Sequence, residues 1–266
     1  MTGGSGAIGT ALRAGLPAYG HDVVSLDRVA PAEVVGDEDV VVAELGTPAG
    51  AQALRGALDG VEAVAHFAGI PSETSLPAAL ESHVSATDAV LGAAQVAGVR
   101  RFVYASSNHA VGFTPRATIV GTDVRPRPDS YYGVGKVAAE GVCSLYADRF
   151  GMACVALRIG SFLPRPLTRR HLSTWLSPDD AVRLVHAALT GSVQGFVAVY
   201  GISANTRAWW DLAEARALGY QPADDAEVFA ADILSGPETD LDVAAAEVVG
   251  GEFAVRQTPL PREETR

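Results

Sequence analysis

A chain of 266 residues can hold one large α/β domain, or one domain with a small appendage, and 48% hydrophobic with 19% charged residues suits a well-buried globular core. A net charge of −11 argues against nucleic-acid binding, which needs a basic face, and leaves any anionic ligand dependent on local cations rather than the overall field. The sequence shows no apolar run of about 18 residues and no basic-then-apolar leader, so no membrane span or secretory signal is expected, and a cytoplasmic setting is.

The chain opens Met1-Thr-Gly3-Gly-Ser-Gly6-Ala7-Ile8-Gly9, which places Gly3, Gly6 and Gly9 at the mouth of a helix marked by Ala11, Leu12 and Leu16. Glycines so spaced let the backbone turn tightly, let a pyrophosphate approach and let the helix pack on a sheet. A strand over 21–26 follows and ends at Asp27, about 20 residues on, where a carboxylate suits the ribose diol of NAD and repels the extra phosphate of NADP. The strand that should precede the glycine loop is almost absent. In a doubly wound sheet that strand is central and apolar, so the expectation is a native start upstream of Met1.

Asp39 to Ala43 reads as a buried strand, followed by Glu44-Leu45. A helix over 49–58 leads to a strand over 61–66, and Phe67-Ala68-Gly69 then opens a loop that can line a cofactor. A single helix is expected from about Leu76 to Ala97, then a strand from Arg101. After a helix through Lys136 comes a strand over 153–158, a loop through Ile159-Gly-Ser161 and a helix started by Ser177-Pro178-Asp179-Asp180, with a capping hydroxyl and carboxylates near the positive dipole end. Phe196 to Tyr200 reads as a strand, Trp209-Trp210-Asp211 as part of a later helix that packs a small lobe, and the tail from Thr258 as frayed. Cys143 and Cys154 are expected as small buried hydrophobes, not as a disulfide or a metal site, and no metal is expected. The strand–helix alternation predicts an α/β fold: a Rossmann-like doubly wound parallel sheet with right-handed crossovers and a small C-terminal substrate lobe, its first strand truncated. One domain is expected over 1–266, with substrate-side insertions within about 161–178 and 201–260. Gly3 to Gly9, Asp27, Phe67 to Gly69 and Ser106 to His109 all fall at carboxyl ends of strands, where ligands of such sheets bind.

The stretch from Tyr104 to Lys136 carries the chemistry. Tyr132 and Lys136 sit four apart and share a helix face, with Ser107 upstream at the end of a strand. A phenol titrates near pH ~10, and a neighbouring ammonium favours the phenolate. Lys136 is therefore expected to bring Tyr132 toward neutral pH as a general base, with Ser107 holding the hydroxyl that Tyr132 deprotonates.

The glycine motif, Asp27, Ser107 and Tyr132-x-x-x-Lys136 resemble the extended short-chain dehydrogenase/reductases, the NAD-dependent epimerase/dehydratase family. The segments Ala105-Ser-Ser-Asn-His109, Arg127-Pro-Asp-Ser-Tyr-Tyr132, Arg158-Ile-Gly-Ser161, Leu172-Ser-Thr-Trp175, Ser203-Ala-Asn205 and Trp209-Trp210-Asp211 resemble the branch of that family that oxidises hexuronic acids. The resemblance implies NAD-dependent oxidation of galacturonate or glucuronate at C1 to an aldaric acid lactone. It implies Tyr132 as base, Lys136 on the nicotinamide ribose, and Ser107, Asn108, His109 and Ser161 on the sugar, with Ser72 beside them. Arg170 would hold the carboxylate by two parallel charge-assisted hydrogen bonds, with Arg165 and Arg169 as rivals. The cofactor would lie along Gly3, Gly6, Ala7, Ile8, Gly9, Asp27, Glu44, Leu45, Phe67, Ala68, Gly69, Tyr132, Lys136 and Ile159.

Three positions depart from the family pattern: Pro71 with Ser72 following, His83 where an Asn is usual near the catalytic centre, and Glu44 for Asp. The alternatives are a nucleotide-sugar epimerase or dehydratase, for which the roughly 100 residues after Ser161 are few, and a non-catalytic NAD(P)-sensing protein, which would typically lack Tyr132 or Lys136. A homo-oligomer is the expectation from the family.

Overall fold

The computed structural model describes residues 1–116, 119–256 and 260–261; most of the tail from Thr258 lies outside them. In chain order the elements are α1 (Ala7–Gly15), β1 (Val24–Asp27), β2 (Asp39–Val42), α2 (Pro48–Ala57), β3 (Ala63–His66), α3 (Leu76–Ala79), α4 (Ala86–Val96), β4 (Arg101–Ser107), α5 (Tyr131–Phe150) and β5 (Ala153–Ile159). The substrate end adds β6 (Ser161–Phe162), α6 (His171–Thr174), β7 (Trp175–Leu176), α7 (Pro178–Thr190), β8 (Phe196–Gly201), α8 (Ala213–Ala217), α9 (Ala230–Leu234), α10 (Asp240–Ala245) and α11 (Glu252–Val255).

All strand pairs are parallel, β1 with β2 and then β3-β4-β5-β8. The two blocks are joined by Thr2, which bridges Leu26 on one side and His66 on the other. Its amide donates to Ala65 O at 3.0 Å and its carbonyl accepts from Phe67 N at 3.1 Å, while Leu26 N donates to Met1 O at 2.8 Å. The central strand is thus reduced to a single rung, as its near absence from the sequence implies. Side chains of β4 and β5 alternate between two cores, as a strand buried on both faces must. Val103, Ala105, Val155 and Leu157 pack with Leu12 of α1 and Leu184 of α7. Phe102, Tyr104, Cys154 and Ala156 pack with Leu54 of α2, Leu91 of α4 and Cys143 of α5. Helices therefore cover both faces, the doubly wound arrangement. Cys143 and Cys154 are buried free thiols.

Two expectations are corrected. The helix from Leu76 to Ala97 is interrupted by a π-helical turn over Leu80–Ser85, which carries His83; such turns often mark functional sites. Trp209 to Asp211 is not helical. Val120 N donates to Trp209 O at 2.8 Å and Asp211 N to Val120 O at 3.0 Å, so the segment lies extended against Val120. Backbone pairing won over helical propensity there because both indoles are buried in a small third core with Tyr200 and Val249. Ser177 caps α7, its hydroxyl accepting from Asp180 N at 2.9 Å. No helix among the described residues is long and apolar enough to cross a membrane.

Candidate active site

The glycine loop is shaped by what glycine lacks. Gly3 has φ +75°, and a Cβ there would lie 2.5 Å from the Phe67 carbonyl carbon; one on Gly9 would lie 2.1 Å from Gly3 O. The loop, α1 and the strand end at Phe67 therefore close on one another through backbone alone. Gly6 caps α1 with no side-chain hydrogen bond, so the amides of the first turn, Ala7 to Gly9, are offered to an anion. Asp27 closes β1 and accepts from Ser5 N at 3.0 Å and Val29 N at 3.3 Å, which aims its carboxylate across the mouth of this loop. Phe67 to Gly69 leave the end of β3 next door, and Ile159 ends β5. Glu44 is exposed and Leu45 half-buried just past β2, beside Asp27, whose carbonyl accepts from Ala43 N at 2.8 Å. A cradle without side chains, an uncapped helix start and a strand-end carboxylate together fit a dinucleotide with a free ribose diol.

Tyr132 and Lys136 lie on the first two turns of α5, which Ser130 caps by accepting from Gly133 N at 3.0 Å. Lys136 is buried and its Nζ donates to Ala105 O at 2.6 Å. It lies 5.4 Å from the Tyr132 ring centroid and 5.0 Å from that of Tyr104. Burial pulls its pKa down to about 7, against the field of Glu140, one turn on. Burial likewise raises the Tyr132 phenol, with the Ser107 hydroxyl acting the other way. The sequence implies that Lys136 draws Tyr132 toward neutrality; in the structure burial raises the phenol and the Ser107 hydroxyl is the group that lowers it. Charge on either group alone is penalised, and a phenolate–ammonium pair offsets that penalty.

Behind this pair lies a cluster of buried polar side chains, of which the sequence pointed only to His83. His83 packs edge-on to Tyr132 at 5.2 Å, and a Cβ on Gly69 would lie 3.0 Å from its ring. His66 accepts or shares a hydrogen bond with Thr2 Oγ1 at 2.6 Å and stacks on Tyr104. Burial holds both imidazoles neutral, with pKa lowered to about 3. Both His83 nitrogens, His66 Nε2, Thr87 Oγ1 and Tyr104 Oη are buried without a hydrogen-bond partner among the described residues.

The substrate side gathers residues from far apart. Ser107 ends β4 and accepts from His109 N at 3.2 Å. The Asn108 amide fits with its nitrogen donating to Ile159 O at 3.0 Å and its oxygen accepting from Arg170 Nη2 at 3.2 Å. Each end of Asn108 thereby makes one hydrogen bond inside the protein, which orients Arg170 and leaves one amide hydrogen and one oxygen lone pair over. Arg170 Nη2 also donates to Val249 O at 2.6 Å, which fills that nitrogen; Nε packs against Gly251 and Nη1 is left for a ligand. Arg170 forms no ion pair among the described residues, and burial pulls its pKa down to about 10. Its rivals differ: Arg165 is exposed, and Arg169 donates to Gly236 O at 2.6 Å. Ser161 shares a hydrogen bond with Thr174 at 2.9 Å. Ser72 is exposed on a loop pinned to the start of α5, where Tyr131 N donates to Glu73 Oε1 at 3.1 Å.

Three features escaped the sequence. Asp129 pairs with His109 Nδ1 at 2.8 Å, Glu73 tethers the Ser72 loop, and the segment Val249 to Phe253 folds over the site, Phe253 lying 4.6 Å from the His109 ring. Only Asp129 had a signal, as a carboxylate next to a helix cap.

The NAD dependent epimerase/dehydratase family matches residues 1–176. A uronate dehydrogenase of Pseudomonas syringae pv. tomato is 39% identical over 254 residues, 95% of this chain and 91% of that protein. Crystal structures of glucuronic acid dehydrogenase from Chromohalobacter salexigens and uronate dehydrogenase from Agrobacterium tumefaciens both superpose with TM-score 0.89. They are 34% and 33% identical, covering 99% and 98% of this chain and 97% of each of theirs. A variant of the Agrobacterium enzyme is known in complex with NAD.

Proposed function

Because the chain belongs to the NAD-dependent epimerase/dehydratase family, we propose that it oxidises a hexuronic acid, galacturonate or glucuronate, at the C1 hydroxyl to an aldaric acid lactone. NAD is the cofactor and serves as hydride acceptor. The observation that carries the substrate class is Arg170: a half-buried guanidinium that forms no ion pair among the described residues and whose Nη1 makes no hydrogen bond among them. A carboxylate accepting from Nη1 gains a charge-assisted hydrogen bond and adds to the counter-charge of Asp129 and Glu252 nearby.

The chain's residues divide the work from that anchor. Arg170 holds the C6 carboxylate, so the opposite end of the sugar reaches Ser107 and Tyr132. Ser107 holds the C1 hydroxyl and Tyr132 takes its proton as C1 gives up hydride. Lys136 supports the phenolate by charge and binds the nicotinamide ribose. His109, Ser161 and Ser72 meet the hydroxyls between the two ends. Gly3, Gly6, Ala7, Ile8 and Gly9 take the pyrophosphate, Asp27 the adenosine ribose, and Glu44 and Leu45 flank the adenine. Phe67, Ala68, Gly69 and Ile159 line the remaining cofactor wall. The segments within about 161–178 and 201–260 serve as substrate-side insertions of one Rossmann unit.

The test is NADH appearance at 340 nm with galacturonate and glucuronate, each beside its uncharged parent hexose. Turnover of the uronates alone, lowered about 10³-fold or more by Tyr132→Phe with NAD affinity unchanged, is the expected result. Equal turnover of the hexoses would remove the carboxylate from the reading.

A further inference from the structure

We propose that Asp129 is a positioning residue that fixes the His109 imidazole as the hydrogen-bond acceptor of the sugar site, so that this pair selects among epimeric uronates. The inference rests on the uronate reading and concerns the same site.

Asp129 is seated with unusual care. Its side chain is fully enclosed. Two glycines make room for it: a Cβ on Gly112 would lie 2.0 Å from its Oδ2, and one on Gly250 would lie 1.8 Å away. Those glycines come from opposite ends of the substrate side and are hydrogen-bonded to each other, Gly250 N to Gly112 O at 2.8 Å. The carboxylate Oδ1 accepts from Ser130 Oγ at 2.9 Å, the same hydroxyl that caps α5. Its Oδ2 lies 2.8 Å from His109 Nδ1.

An ionised carboxylate only accepts, so Nδ1 must carry a proton. In the neutral ring that leaves Nε2 as a lone-pair acceptor. No hydrogen bond among the described residues engages Nε2, and the ring stands between Tyr132, at 5.9 Å, and Phe253, at 4.6 Å. The other groups proposed to meet the sugar are the donors of Arg170 and the hydroxyls of Ser107, Ser161, Ser72 and Tyr132. A fixed acceptor among donors and adaptable hydroxyls is what discriminates one hydroxyl orientation from its epimer. Once the sugar covers this half-buried ring, an acceptor left unpaired by the wrong epimer costs more than a missing contact in water. Galacturonate and glucuronate differ at one such hydroxyl.

Asp129→Asn tests this. Ser130 Oγ already accepts from Gly133 N and turns its O–H toward residue 129, which keeps an Asn oxygen on that side. The Asn NH₂ then faces His109, whose Nδ1 must become the acceptor and whose Nε2 becomes a donor. The expected result is a tenfold or greater rise in KM for the preferred uronate. The ratio of kcat/KM between the two uronates should change at least threefold, with NAD affinity unaltered. His109→Gln should shift the ratio in the same way, and the double variant should be no worse than His109→Gln alone, because the two residues act as one unit. A loss of thermal stability with KM and the ratio within twofold of the parent would make Asp129 merely structural and overturn the proposal. So would effects that multiply in the double variant. The ¹⁵N shifts of the His109 ring give a readout independent of turnover. The neutral ring should be the Nδ1–H tautomer in the parent and the Nε2–H tautomer in Asp129→Asn. An Nε2–H tautomer in the parent sinks the proposal, whereas the correct tautomer without turnover of either uronate would sink only the uronate reading.

Discussion

The two ends of the cleft are built from different materials. At the cofactor end, backbone makes the site: Gly3 and Gly9 pack where a Cβ would lie 2.5 and 2.1 Å from a neighbouring backbone atom, and the first turn of α1 presents bare amides. At the substrate end, side chains make it, and they arrive from β4, α5, α6 and a segment near residue 250. Arg170 reaches Val249 across 79 positions of sequence. Backbone sites depend on local spacing, so they tolerate nothing at a few positions and much elsewhere. Side-chain sites depend on distant segments meeting, so each residue can be altered singly with a confined effect.

The sharpest break in that contrast is Gly9→Ala. One methyl at 2.1 Å from Gly3 O cannot be absorbed by a flexible side chain, because the neighbours are backbone. The cost is about 2–4 kcal/mol, at or somewhat beyond the usual range for overpacking. That corresponds to a Tm lower by roughly 5–10 °C in a chain of this size. NAD affinity should fall with it, and a calorimetric scan plus NAD titration reads both. Arg170→Ala should be more confined: KM for the uronate up by about 10- to 100-fold, in line with the loss of a charge-assisted contact, with KM for NAD nearly unchanged and Tm lowered only by the buried Val249 and Asn108 oxygens that lose their donor. Equal losses of NAD and uronate affinity in this variant would show that the two ends are not separable.

The smallest effect concerns pH, and it tests the buried polar cluster between the ends. His66 and His83 have pKa values pushed down to about 3 by burial, against roughly 6.5 in the unfolded chain. Between those values the unfolded state takes up protons that the folded state refuses. Stability therefore falls as pH drops from about 6.5 toward 3, by roughly 1.4 kcal/mol per pH unit for each imidazole, and is unaffected above that window. His83→Asn should relieve one of the two slopes. Its urea-unfolding free energy relative to the parent should rise by roughly 3 kcal/mol between pH 8 and pH 4. A constant difference across that range would mean that His83 is solvated and free to protonate in the folded state.

Legibility in the sequence followed the same division. Gly3 to Gly9, the strand ending at Asp27 and the Tyr132–Lys136 spacing could be read because period and offset in the chain translate directly into geometry. Ser177 could be read as a cap for the same reason. Asn108 could not. Its amide also ties Ile159 O to Arg170, partners 51 and 62 positions away that no local pattern announces. The π turn at Leu80–Ser85 was hidden because it adds no residue with an unusual propensity; it shows only once His83 is seen wedged between Gly69 and Gly135. Trp209 and Trp210 were misread as helical because their extended partner, Val120, lies some 90 residues upstream.

The fold-over of Val249 to Phe253 also sets an order of events. During synthesis the sheet through β8 and both its helical faces can emerge and pack before residue 249 leaves the ribosome, at the usual rate of about 5–20 residues per second. For those seconds the chain can already hold its dinucleotide while Arg170 lacks Val249 O, Asp129 lacks one wall of its slot, and His109 lacks Phe253. Cofactor can thus be on board early and steady the nascent domain by mass action, while the proposed sugar site is the last part of the cleft to be completed.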